Sequence, residues 1–236
     1  MAVAGWVITL FLMMRLPPVS DIRSELSQPP VQTAKPSYGQ FTYNYKGENV
    51  TVVPQADYHI WVLIVSHNDP DLWYRFDLSH DKKSINTRDI CVMWGGNVKA
   101  GAYQHMTVQN TDWSCEGRFE SGITYFSEDE FSNNHLITNN DEIRKRIRNL
   151  HVGDQVYIKG MLVNYSEARW DGRFRNTSMT RTDRGDGACE IIYVEDVQVL
   201  SSYNGAWAAL HQLCLVAFVV MVIIRSVMFI ILPTEI

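Results

Sequence analysis

Val156-Tyr-Ile-Lys-Gly-Met-Leu-Val163 decides the fold class: its alternation places Val156 and Ile158, with Gly160 next in the series, on one face of a strand. Upstream, Tyr58-His-Ile-Trp-Val-Leu-Ile-Val65 is a β-branched and aromatic run, bounded by Asp57 and by Asn68-Asp-Pro70. Downstream, Ile191-Ile-Tyr-Val-Glu-Asp-Val-Gln-Val-Leu200 reads as a last long strand. Between the first and second runs lies one helix. Asn139 or Asn140 can cap it, Asp141 and Glu142 suit its positive N-terminal end, and the basic residues follow. Ile143, Ile147 and Leu150 fall at i, i+4 and i+7, so that stripe is buried while Arg144, Lys145, Arg146 and Arg148 face outward. Several strands with one inserted helix predict a mainly β fold, a small antiparallel OB-like barrel.

The ends of the chain are different. Of 236 residues 46% are hydrophobic, and no Asp, Glu, Lys or Arg occurs from Val197 to Ile224. The apolar residues 206–224 would span roughly 28 Å as a helix, close to the hydrocarbon thickness. Arg225 interrupts this run, and a further apolar stretch follows it. Residues 2–14 are apolar too, but they lack a basic leader or a cleavage site, and Pro17 and Pro18 close them off. They read as a short signal anchor. The expected layout is an N-terminal membrane anchor (1–16), a Pro-rich spacer (17–37), a β-rich extramembrane domain (38–200) and a C-terminal transmembrane helix (206–232). The short first span, and Arg225 within the second, favour other membrane-protein subunits as partners besides the bilayer. Orientation is contested. Arg15, Arg23 and Lys35 favour a cytoplasmic domain; Arg225 and the acidic Asp186, Glu190, Glu195 and Asp196 favour an outer one.

A net charge of −5 argues against a general nucleic-acid binder. One region nevertheless combines aromatic and basic side chains: Trp170, Arg173, Phe174, Arg175 and Arg181, with Arg169 and Arg184 nearby. The Asp171-Gly172 pair reads as the tip of a solvated hairpin loop in this region. A protein or polyanionic partner could dock there. Cys91, Cys115 and Cys189 belong to the domain, Cys214 to the C-terminal helix. The three domain cysteines read as structural, with three single pairings open. No Cys-x-x-Cys or His-x-His pair favours zinc, and Gly185 and Gly187 occupy two of the positions a calcium loop would need, so neither metal nor cofactor is expected. The alternative is enzymatic: Cys189 as nucleophile and His135 as base, with Asp183, Asp186 or Asn134 to orient the ring. This would make the chain a Cys/His-dependent hydrolase or thiol-active enzyme.

The segments Asp89-Ile-Cys-Val-Met-Trp-Gly95, Ser132-Asn-Asn-His-Leu-Ile137, Gly153-Asp-Gln-Val and Gly185-Asp-Gly-Ala-Cys-Glu190, after an anchor and a Pro-rich stretch, resemble a family of bacterial membrane-anchored envelope proteins. The resemblance covers roughly residues 17–200 and carries no activity and no catalytic residues. It implies a bacterial inner-membrane protein whose domain faces the periplasm, which agrees with cysteines able to pair. The expected function is therefore binding: an anchored domain holding a partner protein or ligand within a larger assembly.

Overall fold

The computed structural model describes residues 2–12, 14–34, 36–68, 84–111, 114–185 and 187–231, and these form two compact units. Residues 16–202 make the first; residues 1–15 together with 203–236 make the second. Helix α1 is Ala2–Leu12. Four strands follow it: β1 (Val31–Ala34), β2 (Phe41–Tyr45), β3 (Glu48–Asn68) and β4 (Arg88–Met93). A short helix α2 (Gly95–Lys99) leads to the hairpin β5 (Met106–Asn110) and β6 (Cys115–Phe119), and then to β7 (Phe131–Ile137). Helix α3 (Asp141–Arg148), β8 (Asp154–Glu167), β9 (Glu190–Ser202) and α4 (Gly205–Ile231) complete the chain.

The fold is mainly β. Strand β3 pairs antiparallel with β4 and, along most of its length, with β8. Strand β4 pairs antiparallel with β7, β7 parallel with β9, and β9 antiparallel with β8. The pairing order β3-β4-β7-β9-β8 thus returns to β3 and closes a cycle of five strands. Alternate residues of these strands, among them Ile60, Val62, Ile90, Leu136, Val156, Ile158, Ile192 and Val194, share one buried apolar cluster. Strand β3 needs its 21 residues because it pairs with β1, β2, β4 and β8, and a register shift between Pro54 and Ala56 accommodates a proline that cannot donate to the ladder.

Helix α3 contributes Ile143 and Ile147 to the same cluster, and Leu150 joins them just past its end. The Asn140 side chain caps it, accepting from the Glu142 and Ile143 amides at 2.9 and 3.1 Å. Arg144 departs from the outward orientation expected for it. Its guanidinium donates to the Thr138 carbonyl at 2.6 Å and lies 4.7 Å from the Tyr45 ring centroid. A long side chain in the first turn can fold back over an aromatic face, and helical periodicity does not register this.

The spacer expected at 17–37 is instead part of the β-rich unit. Two 3-10 turns, Val19–Asp21 and Ser24–Ser27, precede β1, which pairs with β3 from Val31↔His59 to Ala34↔Ala56. Leu26 is fully buried in a cluster with Leu63, Met93 and Tyr103. The Gln155 side chain accepts from the Arg23 amide at 2.7 Å and donates to the Asp21 carbonyl at 2.9 Å. Two anchoring residues, Leu26 and Ile22, among prolines and polar residues leave little trace in composition.

In the second unit, α4 is the one helix among the described residues that is long and apolar enough to cross a membrane, over Gly205–Met228. Most of its apolar side chains are exposed, which is the opposite of a core helix. Helix α1 is apolar but has 11 residues, roughly 16 Å, too short to span alone. It packs on α4: Thr9 Oγ1 lies 3.0 Å from His211 Nδ1, and the Trp6 ring stacks on His211 with centroids 5.6 Å apart.

Candidate functional site

Period-two alternation on β4 and β7 brings Asp89 and Cys91, and Asn133 and His135, to the face opposite the apolar cluster. Register does the rest. Asp89 lies opposite His135 and Cys91 opposite Asn133, while His135 lies beside Ile191 of the parallel strand β9. Cys189 immediately precedes β9, on the same alternation as Ile191.

The group oriented toward His135 is Asp89. His135 Nδ1 sits 2.7 Å from Asp89 Oδ1, both side chains are 1% exposed, and Cys189 also hydrogen-bonds the ring. Sequence reasoning missed Asp89, because only strand register brings together two residues 46 positions apart. Asp183, the carboxylate proposed for that role, instead accepts from Ser178 Oγ at 2.8 Å. The Asn134 amide donates to Ser132 Oγ at 2.9 Å, and Asp186 lies outside the described residues.

The other ring nitrogen meets Arg175, whose guanidinium donates to His135 Nε2 at 2.7 Å. That contact needs an unprotonated Nε2, so the ring making both contacts is neutral, with its proton on Nδ1 toward Asp89. Burial works against charging the ring, but the Asp89 charge and hydrogen bond, aided by Cys189 and opposed by Arg175, lift its pKa from 6.5 to about 9. The direction follows from Asp89, a buried carboxylate in direct contact. Protonation of Nε2 therefore requires Arg175 to move aside.

Arg175 is positioned by the loop ahead of it. Asp171 (φ 51°) and Gly172 (φ 77°) make a turn with two consecutive left-handed residues, as their sequence predicts. Tyr165 and Arg175 then exchange backbone hydrogen bonds of 2.9 and 2.8 Å, and Trp170 packs on the Tyr165 ring. Beyond it, Thr177 Oγ1 accepts from the Ile191 amide at 2.9 Å and the Ser178 amide donates to the Cys189 carbonyl at 2.9 Å, so the segment is held against the start of β9.

Between this segment and the β5–β6 side lies a cleft of about 1330 Å³. Trp170, Arg173, Phe174, Arg175 and Arg181, the residues picked out from sequence as a docking region, all line it, as does Cys189. Phe119, Phe126 and Phe131 form its apolar wall. At the rim, Arg184 reaches Glu128 at 2.6 Å and Asp129 at 2.7 Å. Arg181 pairs with Glu190, whose carboxyl burial pushes up to about 7 despite the guanidinium.

Two of the three cysteines read as structural form a disulfide, Cys91–Cys115, with Cα atoms 5.7 Å apart; Cys189 is outside it. The Asn110 amide touches Cys91 Sγ at 3.2 Å and Asn133 Oδ1 at 3.3 Å, and the Asn133 amide donates to Cys189 Sγ at 3.6 Å. No group of three or more His, Cys, Asp or Glu suited to a metal ion occurs among the described residues. No protein-family model, curated protein or solved structure matches the chain.

Proposed function

We propose that the chain is a membrane-anchored binding module that holds a partner protein or ligand in the cleft beside β7. The five-strand cycle, its parallel β7–β9 pair and the helix between its third and fourth strands fit an OB-like barrel. Such barrels bind on the face of their second and third strands, flanked by the loop between the fourth and fifth. Here those are β4, β7 and residues 168–189, and the cleft lies there. That coincidence carries the reading.

Charge in the cleft favours a protein or mixed-polarity ligand over nucleic acid. Arg181 and Arg184 are neutralised by Glu190, Glu128 and Asp129. Exposed Phe174 beside Trp170 and Arg173 supplies the aromatic and guanidinium groups that anchor protein interfaces. The Cys91–Cys115 disulfide suits an oxidising compartment, and α4 suits an anchor. The resulting assignment is a bacterial inner-membrane protein, domain facing the periplasm, within a larger membrane assembly.

A photo-crosslinking amino acid at Phe174, introduced in the native membrane, should give a discrete adduct that Trp170→Ala weakens. An adduct pattern equal to that from a control position on α3 would sink the binding reading. A reporter active only in the periplasm should work when fused at Asn204 and be silent after Ile236; the reverse pattern would place the domain in the cytoplasm.

A further inference from the structure

Cys189 has two neighbours that a structural thiol does not need. One is a buried imidazole, itself held by a buried carboxylate 2.7 Å away. The other is the Asn133 amide, donating to its sulfur. A nucleophilic thiol uses two such groups, a donor to its sulfur and an imidazole that can take its proton. The sulfur is half-buried and lines the cleft, so a reagent there can reach it.

We infer that Cys189, His135 and Asp89 form a nucleophilic thiol site opening on the cleft, and that its substrate is a disulfide carried by the cleft's ligand. The inference rests on the cleft being a binding site. Disulfide exchange fits what the site holds, since it needs a thiolate, a proton for the leaving sulfur and open access. Acyl transfer would also need donors aimed at an oxyanion. The fold itself contains a disulfide, so a compartment that preserves Cys91–Cys115 also presents disulfides to Cys189.

The step balances without a further reagent. Arg175 withdraws from Nε2, and the Cys189 proton passes to that nitrogen while Nδ1–H stays on Asp89. The thiolate attacks one sulfur of the incoming disulfide. A Cys189–sulfur bond forms as the substrate's S–S bond breaks, and the expelled thiolate takes the proton from Nε2. One disulfide and one thiol enter; one mixed disulfide and one thiol leave. The charged groups facing the ring are Asp89 from β4, Arg175 from the crossing segment and Cys189 itself.

The test uses the full chain in detergent with Cys214→Ser, glutathione disulfide as probe and mass spectrometry as readout. At about pH 7 native Cys189 should form the mixed disulfide roughly tenfold faster than the same thiol in denatured chain, whose pKa of about 8.5 leaves little thiolate. The native rate should be nearly flat between about pH 6 and 8, and His135→Gln should restore the rising profile of an ordinary thiol. Asp89→Asn should slow the reaction while a thermal melt still shows a folded domain. A native rate no faster than the denatured one, or a profile unmoved by His135→Gln in a folded variant, overturns the proposal. Acylation by a small thioester with no reaction toward glutathione disulfide overturns the substrate class. Because the probe needs no partner, this result is independent of the crosslinking result.

Discussion

His135 and Asp89 face each other across β7 and β4, Nδ1 2.7 Å from Oδ1, each 1% exposed. A buried carboxylate is tolerated only with a partner to satisfy it, and removing one member leaves the other desolvated and unpaired. The pair therefore binds the two strands to each other and fixes which ring nitrogen is left for Arg175 and Cys189. Structure and reactivity share one contact.

That contact should make stability pH-dependent. The folded state holds the imidazole proton more tightly than the unfolded chain, because the pKa rises from 6.5 to about 9. The stabilisation is present below about pH 6.5 and lost as pH rises through about 9, less the cost of moving Arg175 off Nε2. Melting temperatures measured across this window should fall more steeply for the native chain than for His135→Gln. Glu190 titrates lower, between 4.5 and about 7, and contributes equally to both proteins. Parallel curves would show that the imidazole is not charged in the fold.

Gly160 tests how closely β8 and β9 approach. A Cβ there would lie 2.1 Å from the Tyr193 carbonyl oxygen, a backbone atom, and the β8–β9 register shifts between Lys159 and Gly160. Gly160→Ala must push one strand of the cycle away from another. We expect loss of the cooperative melt, or a drop of several kcal/mol, measured by thermal denaturation monitored by circular dichroism. Gly172→Ala makes a useful comparison, since nothing lies within 4 Å of its Cβ position and only the positive φ is strained.

Helix α3 offers a sharper contrast. Ile147 is fully buried beneath it, whereas Arg146 is half-exposed and pairs with Asp196 at 2.8 Å. Ile147→Asp should unfold the domain, because an unpaired buried carboxylate costs several kcal/mol against a marginal total of about 5–15 kcal/mol. Arg146→Ala should change stability by less than about 1 kcal/mol. Denaturant titration of both variants decides, and a folded Ile147→Asp protein would refute this packing of the helix.

What was legible in the sequence was local. Alternation located β8, the cap and stripe located α3, and Asp171-Gly172 located its turn, because each depends on residues within a few positions. Trp170, Arg173, Phe174 and Arg175 lie together because they share one loop, and Arg181 lines the same cleft. The His135–Asp89 contact and the Cys91–Cys115 pairing depend on register between strands distant in sequence, and composition is silent on that. The 17–37 stretch misled because its prolines and polar residues stand out in composition while Leu26 and Ile22, with two backbone bonds to Gln155, supply the anchor.

The disulfide joins β4, inside the five-strand cycle, to β6 of the separate hairpin, across a sequence separation of 24. Opening it releases the enclosed loop in the unfolded chain, at a cost of about 3 kcal/mol by loop-closure entropy. It also frees the hairpin wall of the cleft, because among the described strands β5 and β6 pair with each other and not with the large sheet. Cys91→Ser with Cys115→Ser should therefore lower the melting temperature and increase hydrogen exchange in residues 106–119, while α3 stays protected. Residue-resolved exchange distinguishes this from general unfolding. Equal loss of protection in the hairpin and in α3 would mean that the bridge supports the whole fold rather than one wall of the cleft.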